Sequence, residues 1–163
     1  MESGRILGVD LGDARTGLAL SDPSGFLAGG IGMIQSGWAE GIAKEVAKTA
    51  QERGAVKIVV GMPVNMNGTQ GPRCEKVQAF CTLLRGMTQI PVELFDERLS
   101  TCEAHRFLSE TGTRGKKRRG VVDTLSAQII LQDYLDRQKK EREKEKTQAK
   151  EENIKENISN DTT

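Results

Sequence analysis

The 163-residue chain predicts an α/β fold, a mixed five-stranded sheet flanked by helices. Three observations carry this. Short apolar runs near the N-terminus are separated by Gly-containing turns, as in a meander. Beyond them, apolar runs alternate with segments of helical spacing, the pattern of parallel strands joined by helices. One run, VKIVVG at 56–61, is continuously apolar, as in a strand buried on both faces. The first strand should therefore lie centrally, with a hairpin on one side and parallel strands on the other.

In order, residues 5–9 (RILGV) read as a buried strand ending at Asp10, and 16–20 (TGLAL) as a second. The short turn between them contains Gly12, so the two form a hairpin. Residues 27–34 (LAGGIGMI) are a weaker, Gly-rich third strand. Trp38 to Arg53 follows helical spacing through Ile42, Val46 and Ala50, and Gly54 stands where a helix ends in a left-handed residue. After the 56–61 strand comes a turn-rich loop, 62–71. A second helix, 73–85, sets Val77, Phe80, Cys81 and Leu84 on one face, where Cys74 also falls as a buried structural thiol. Residues 92–95 (VELF) are a strand ending at Asp96-Glu97. Ser100 to Glu103 is a capping box opening a helix through Leu108. A basic loop follows, and 121–135 is the last helix, with Val122, Leu125, Ile129 and Leu135 on one side.

Hydrophobic residues make up 36% and charged residues 29%, a lean balance that the C-terminal segment explains. From Lys139 onward the only large apolar side chains are Ile154 and Ile158, with seven basic and seven acidic residues. Such a segment buries too little to offset the entropy of ordering, so 1–138 is expected to be the folding unit and 139–163 a disordered charged tail. No run of 18 apolar residues or secretory leader pattern occurs, and three cysteines without a CxxC fit a reducing, cytoplasmic setting with no membrane partner. The lone His105 argues against Ser-His or Cys-His catalysis, and with Cys102 it lacks the remaining ligands of a zinc site. The net charge is only +1, but 105–119 carries Arg106, Arg114, Lys116, Lys117, Arg118 and Arg119 against Glu110. That segment is either a phosphate-binding patch or a solvated loop.

Three carboxylates stand in informative places. Asp10 ends the first strand, Glu97 follows a later parallel one, and Asp123 opens the last helix. Ligands of open α/β sheets gather at the carboxyl ends of strands. Three converging acids repel one another, and Mg²⁺ or Mn²⁺ would relieve that repulsion and serve phosphodiester chemistry. Each acid also has a structural reading: Asp10 as an Asx-turn, Glu97 paired to Arg98, Asp123 as a helix cap. No P-loop or dinucleotide fingerprint is present. The few aromatic residues are not interleaved with basic ones, so a stacking platform for single strands is not expected.

Four segments together resemble the YqgF family of Holliday-junction-resolvase-like proteins, described as pre-16S rRNA nucleases. They are DLGDARTGLALSD (Asp10–Asp22), GMPVNMNG (Gly61–Gly68), DERLST (Asp96–Thr101) and VDTLSA (Val122–Ala127). The resemblance spans about residues 5–135. It implies an RNase H-like fold, Asp10, Glu97 and Asp123 as catalytic, metal-binding acids, and cleavage of precursor 16S rRNA. Branched-DNA resolution and a non-catalytic nucleic-acid-binding module are the alternatives. An actin-like ATP-binding lobe shares the D-x-G hairpin but needs a second lobe that this length does not supply. Ser126 stands where the wider fold often has a further Asp, so a fourth carboxylate is missing. Arg15 and Arg98 offer bidentate donors to phosphate, Asn65 either a phosphate contact or a loop clamp, and Lys116, Lys117, Arg118 and Arg119 a grip on the backbone. A resolvase would act as a homodimer, whereas an rRNA-trimming enzyme could be a monomer.

Overall fold

In the computed structural model residues 4–35, 37–65, 67–97 and 116–160 are described, with 116–123 and 160 by backbone alone. In chain order the elements are β1 (Arg5–Leu11), β2 (Arg15–Ser21), β3 (Ala28–Gln35), α1 (Ala39–Glu52), β4 (Ala55–Met62), α2 (Pro72–Met87), β5 (Val92–Asp96) and α3 (Lys116–Asn160). The sheet order is β3-β2-β1-β4-β5. β1 is central, antiparallel to β2 and parallel to β4, and β5 continues the parallel half. This is the arrangement the sequence predicts.

Residues alternate between the faces of a strand. Leu7 and Val9 of β1, Leu18 and Leu20 of β2, and Ile58 and Val60 of β4 join one core with the buried stripes of α1 and α2. Cys74 and Cys81 are fully buried in it, as expected. Ala19, Val59 and Phe95 face the other way and pack against Ala127, Ile130, Leu131, Tyr134 and Leu135 of α3. The chain is thus a three-layer sandwich, with α1 and α2 on one face and α3 on the other.

The β1–β2 turn closes with the Gly12 N–H donating to the Arg15 carbonyl at 2.9 Å. A Cβ at Gly12 would collide with that carbonyl, so the turn requires glycine. Helix α1 ends at Gly54, whose φ of 69° is the left-handed cap read from the sequence. At the far side of the β2–β3 connection, Asp22 Oδ1 accepts the Phe26 and Leu27 N–H groups, each at 2.8 Å. The Leu27 bond foremost, and next the hydrogen bond from the Ser24 hydroxyl, hold its carboxyl down at about 2.

Helix α3 is fastened at several points. Gln132 Oε1 accepts the Ala28 N–H and its amide donates to the Phe26 carbonyl, both at 2.9 Å. Tyr134 meets Phe95 edge-on at 5.8 Å; its hydroxyl accepts from Lys57 Nζ at 3.0 Å and donates to Glu93 at 2.9 Å.

Three expectations are corrected. The buried stripe of α3 runs through Ala127, Ile130, Leu131, Tyr134 and Leu135; Leu135 is buried as expected, Leu125 and Ile129 are only partly buried, and the Val122 side chain lies outside the described residues. Several apolar stripes are available on this helix, and the one that seats a side chain over Gly8 wins. Residues 116–120, read as a loop, are the first turns of α3, since Lys and Arg are good helix formers. The segment after Lys139, expected to be disordered, continues the helix to Asn160. Nucleation is the costly step, and the packed turns before it already supply a nucleus. Glu, Lys, Arg and Gln then propagate it, with opposite charges at helical spacing in pairs such as Glu151 and Lys155. The proposed helix from Ser100 and the Cys102–His105 pair lie outside the described residues. Among the described residues no helix is long and apolar enough to cross a membrane.

A Cβ at Gly8 would lie 2.8 Å from the Leu131 Cβ. Gly8→Ala should therefore cost about 1–3 kcal/mol in urea denaturation, because α3 must lift from the sheet. Gly29→Ala, with nothing within 4 Å, should leave the midpoint nearly unmoved. Equal midpoints for the two variants would show that α3 is not seated on Gly8.

Candidate active site

Because β1, β4 and β5 run parallel, they end on one edge of the sheet. Along β1, Leu7 and Val9 belong to the α1–α2 face and Gly8 lies under Leu131. The period of two therefore sets half-buried Asp10 on the α3 face, at the carboxyl end. Its antiparallel partner is Gly17, which puts no side chain beside it. Glu97 follows β5 directly, two residues beyond Phe95, which packs under α3. A Cβ at Gly61 would lie 2.7 Å from Glu97 Oε1 and 2.8 Å from Ile130 Cδ1. Glycine at the end of β4 thus leaves the space that the Glu97 carboxylate occupies beneath α3.

Electrostatics tie the two acids together. Burial, then the Asp10 charge, pushes the Glu97 carboxyl up to about 7; Asp96 adds to this and Arg73 opposes it. Arg73 sits in the first turn of α2, whose N-terminus the 62–71 loop delivers to this edge. A cation there opposes the helix dipole, and the acids across the edge compensate. One turn on, Lys76 donates to Asp13 at 3.0 Å, clamping the β1–β2 turn to α2. That hydrogen bond, with the Lys76 and Arg73 charges, lowers the Asp13 carboxyl.

Asp123 lies in α3 immediately before Thr124. The Thr124 hydroxyl reaches the Gly32 carbonyl at 3.5 Å, and its methyl rests where a Cβ on Gly30 would be. The backbone of Asp123 therefore lies in the helical layer, next to the residue that packs on β3; its side chain lies outside the described residues. Arg15 opens β2 at the same edge, in register with Gln35. Asn65 clamps its own loop: its amide donates to Thr69 Oγ1 and its backbone N–H to the Thr69 carbonyl, both at 3.0 Å. Arg98 lies outside the described residues, as do the side chains of Lys116, Lys117, Arg118 and Arg119, whose backbone forms the first turn of α3. Among the described residues no three His, Cys, Asp or Glu side chains form a metal-sized cluster. Sequence reasoning missed Arg73 and the space made by Gly61. A cation in the first turn of a helix, just beyond a strand-end loop, was the available signal for Arg73.

The profile of a family described as "RuvX: Holliday junction resolvase" matches residues 4–137. A protein of Ruminiclostridium cellulolyticum named "Putative pre-16S rRNA nuclease" is 45% identical over 136 residues, covering 82% of this chain and 94% of the relative. One of the same name from Clostridioides difficile is 46% identical over 136 residues, covering 83% and 96%. Among solved structures, T. thermophilus RuvC in complex with a Holliday junction substrate superposes with a TM-score of 0.52 at 12% identity, over 80% of this chain and 91% of that one. That likeness bears on the fold alone, which is RNase H-like.

Glu97 binds its proton more tightly folded than unfolded, its pKa moving from 4.5 to about 7. Its contribution to stability is therefore complete below about 4.5 and is lost as pH rises through 7. In metal-free protein, wild type should lose melting temperature between pH 5 and pH 8 relative to Glu97→Gln. Parallel pH profiles for the two would mean that Glu97 is not held as described.

Proposed function

The chain belongs to the family described as RuvX: Holliday junction resolvase, and from that premise we propose that it is a metal-dependent endonuclease that trims the 5′ end of precursor 16S rRNA. The observation that carries the reading is the Asp10–Glu97 pair. Two half-buried acids share one sheet edge, close enough for one charge to raise the other's pKa; Asp123 would join them from α3. A fold does not hold like charges together under a helix without a use for them.

Asp10, Glu97 and Asp123 would hold the cation. The donors are hard oxygens without histidine, which suits Mg²⁺ or Mn²⁺. When bound, the ion supplies electrostatic stabilisation of the phosphoryl oxygens and acidifies the attacking water. It also favours ionised Glu97, so binding below pH 7 releases a proton. Arg15 and Arg98 orient the phosphates through planar donors, and Asn65 holds the loop bordering the site. Lys116, Lys117, Arg118 and Arg119 offset the negative potential of the acids toward a polyanion. Lys116 and Arg119 precede Asp123 by seven and four residues, on one stripe of α3. Residues 1–138 are the catalytic unit and 139–163 an appendage to it.

Branched DNA is the second reading, favoured by the description of the matched family. Purified protein with Mg²⁺ or Mn²⁺ should be offered a 5′-extended 16S RNA fragment and a four-way DNA junction. Metal-dependent cleavage of the RNA supports the first reading and cleavage of the junction alone the second. Cleavage of neither removes the enzyme.

Asp10→Asn should lower kcat by about a thousandfold or more without unfolding the protein, since a cation ligand is lost. It should also lower the Glu97 titration in carboxyl NMR while leaving it above an ordinary carboxyl, because burial, the larger cause, remains. Turnover like wild type would place the chemistry elsewhere. Removing residues 139–163 should leave cleavage of a short substrate within about twofold, because the exposed helix brings almost nothing to either core. A large loss of activity would make the extension part of the site.

A further inference from the structure

Trp38 is the only tryptophan of the chain and is 89% exposed. Its spacing, four residues before buried Ile42, would place it on the apolar stripe of α1 if the helix began earlier. Instead it is the N-cap, with extended backbone angles of −66° and 146° that carry it off the helical path. Its carbonyl accepts the Ile42 N–H at 3.0 Å, but its side chain caps nothing. Ser, Thr, Asp or Asn is preferred at an N-cap because the side chain satisfies a free N–H. Trp38 therefore breaks two local rules at once: a large apolar ring in water, and a cap position without a cap. Breaches with no structural return concentrate at functional positions.

Its place in the fold supplies the return. Asp10 pairs with Gly17 and Gly17 with Met33, so β3 lies two strands from β1, about 10 Å away. β3 runs parallel to β1 and ends at Gln35, the register partner of Arg15. Trp38 follows three residues later, on the edge that carries Asp10 and Glu97 and within roughly 25 Å of Asp10. The other exposed large apolar residues among the described ones differ in setting. Phe26 and Leu27 lie at the opposite edge, where the Lys139 ammonium stands 5.6 Å from the Phe26 ring centre. Met87 ends α2, and Ile154 and Ile158 sit in the extension.

We propose that Trp38 is a base-stacking residue: its indole stacks on an unpaired nucleobase of the strand that enters the carboxylate edge, a few nucleotides from the bond to be cut. This rests on the nuclease reading above and deepens it, since a duplex keeps its bases stacked internally and only a single-stranded or splayed segment offers a free face. A lone indole is sequence-tolerant, because every base has a π-face. Trp38 acts as a positioning residue and not in the chemistry.

The test uses the full chain carrying Asp10→Asn, with a short single-stranded RNA, an abasic strand of equal length, and a duplex. Affinity is read by anisotropy of a labelled strand, and indole fluorescence reports Trp38 alone. The base-bearing strand should quench the fluorescence, and the abasic strand and the duplex should not. Trp38→Ser should weaken the base-bearing strand about five- to hundredfold, leave the abasic affinity unchanged and not lower the melting temperature, because serine caps the helix. Trp38→Tyr should restore most of the affinity. A strand that binds without quenching, or equally well to Trp38→Ser, overturns the proposal while the nuclease reading stands. A lowered melting temperature for Trp38→Ser overturns it in favour of a structural role. Quenching that follows protein concentration without RNA overturns it in favour of a second copy. Failure of every strand to bind, seen by anisotropy independently of Trp38, overturns the nuclease reading as well.

Discussion

Helix α3 rests on the bare backbone of Gly8, at the middle of the central strand, and the rest of the molecule is arranged around that contact. With no side chain beneath it, Leu131 descends to the sheet, and Ile130 comes down over Gly61 of the neighbouring strand. The same descent brings Thr124 against Gly30. Three glycines on three strands thus set the height of one helix. That helix roofs Glu97, so the enclosure of this acid is a consequence of core packing.

The site itself is a balance of opposed charges. Burial and Asp10 drive Glu97 toward its protonated form, while Arg73 pulls the other way. Arg73 and Lys76 stand on α2, on the opposite side of the sheet from α3, and Lys76 also grips the turn that follows Asp10. The two helical layers therefore meet electrostatically at one edge although their apolar cores never merge.

The long extension shows how one helix changes character along its length. Between Ala127 and Leu135 it is held by burial, by the Tyr134 hydroxyl between Lys57 and Glu93, and by Gln132 at the edge of β3. Beyond that, exposed residues continue it on propensity and charge spacing, which suffice once nucleation has been met. Low hydrophobicity correctly signals that nothing there joins a core, but it does not by itself dictate a coil.

The sequence by itself determined the strand order, the hairpin at Gly12, the left-handed cap at Gly54 and the buried face of α2. Each is a local matter of periodicity or backbone freedom, which a one-dimensional pattern records. It also marked Asp10 and Glu97, because an acid directly after an apolar strand is conspicuous. Only the tertiary structure decided which stripe of α3 is buried, since several satisfy helical spacing and the choice falls to Gly8 across the sheet. Only it revealed why Gly61 must be glycine and why Arg73 is tolerated in a first helical turn, because both answers lie in Glu97, a residue remote in sequence. Trp38 is the clearest case. Its spacing would place it on the buried stripe of α1, but the helix begins only at Ala39, and the ring is left in water.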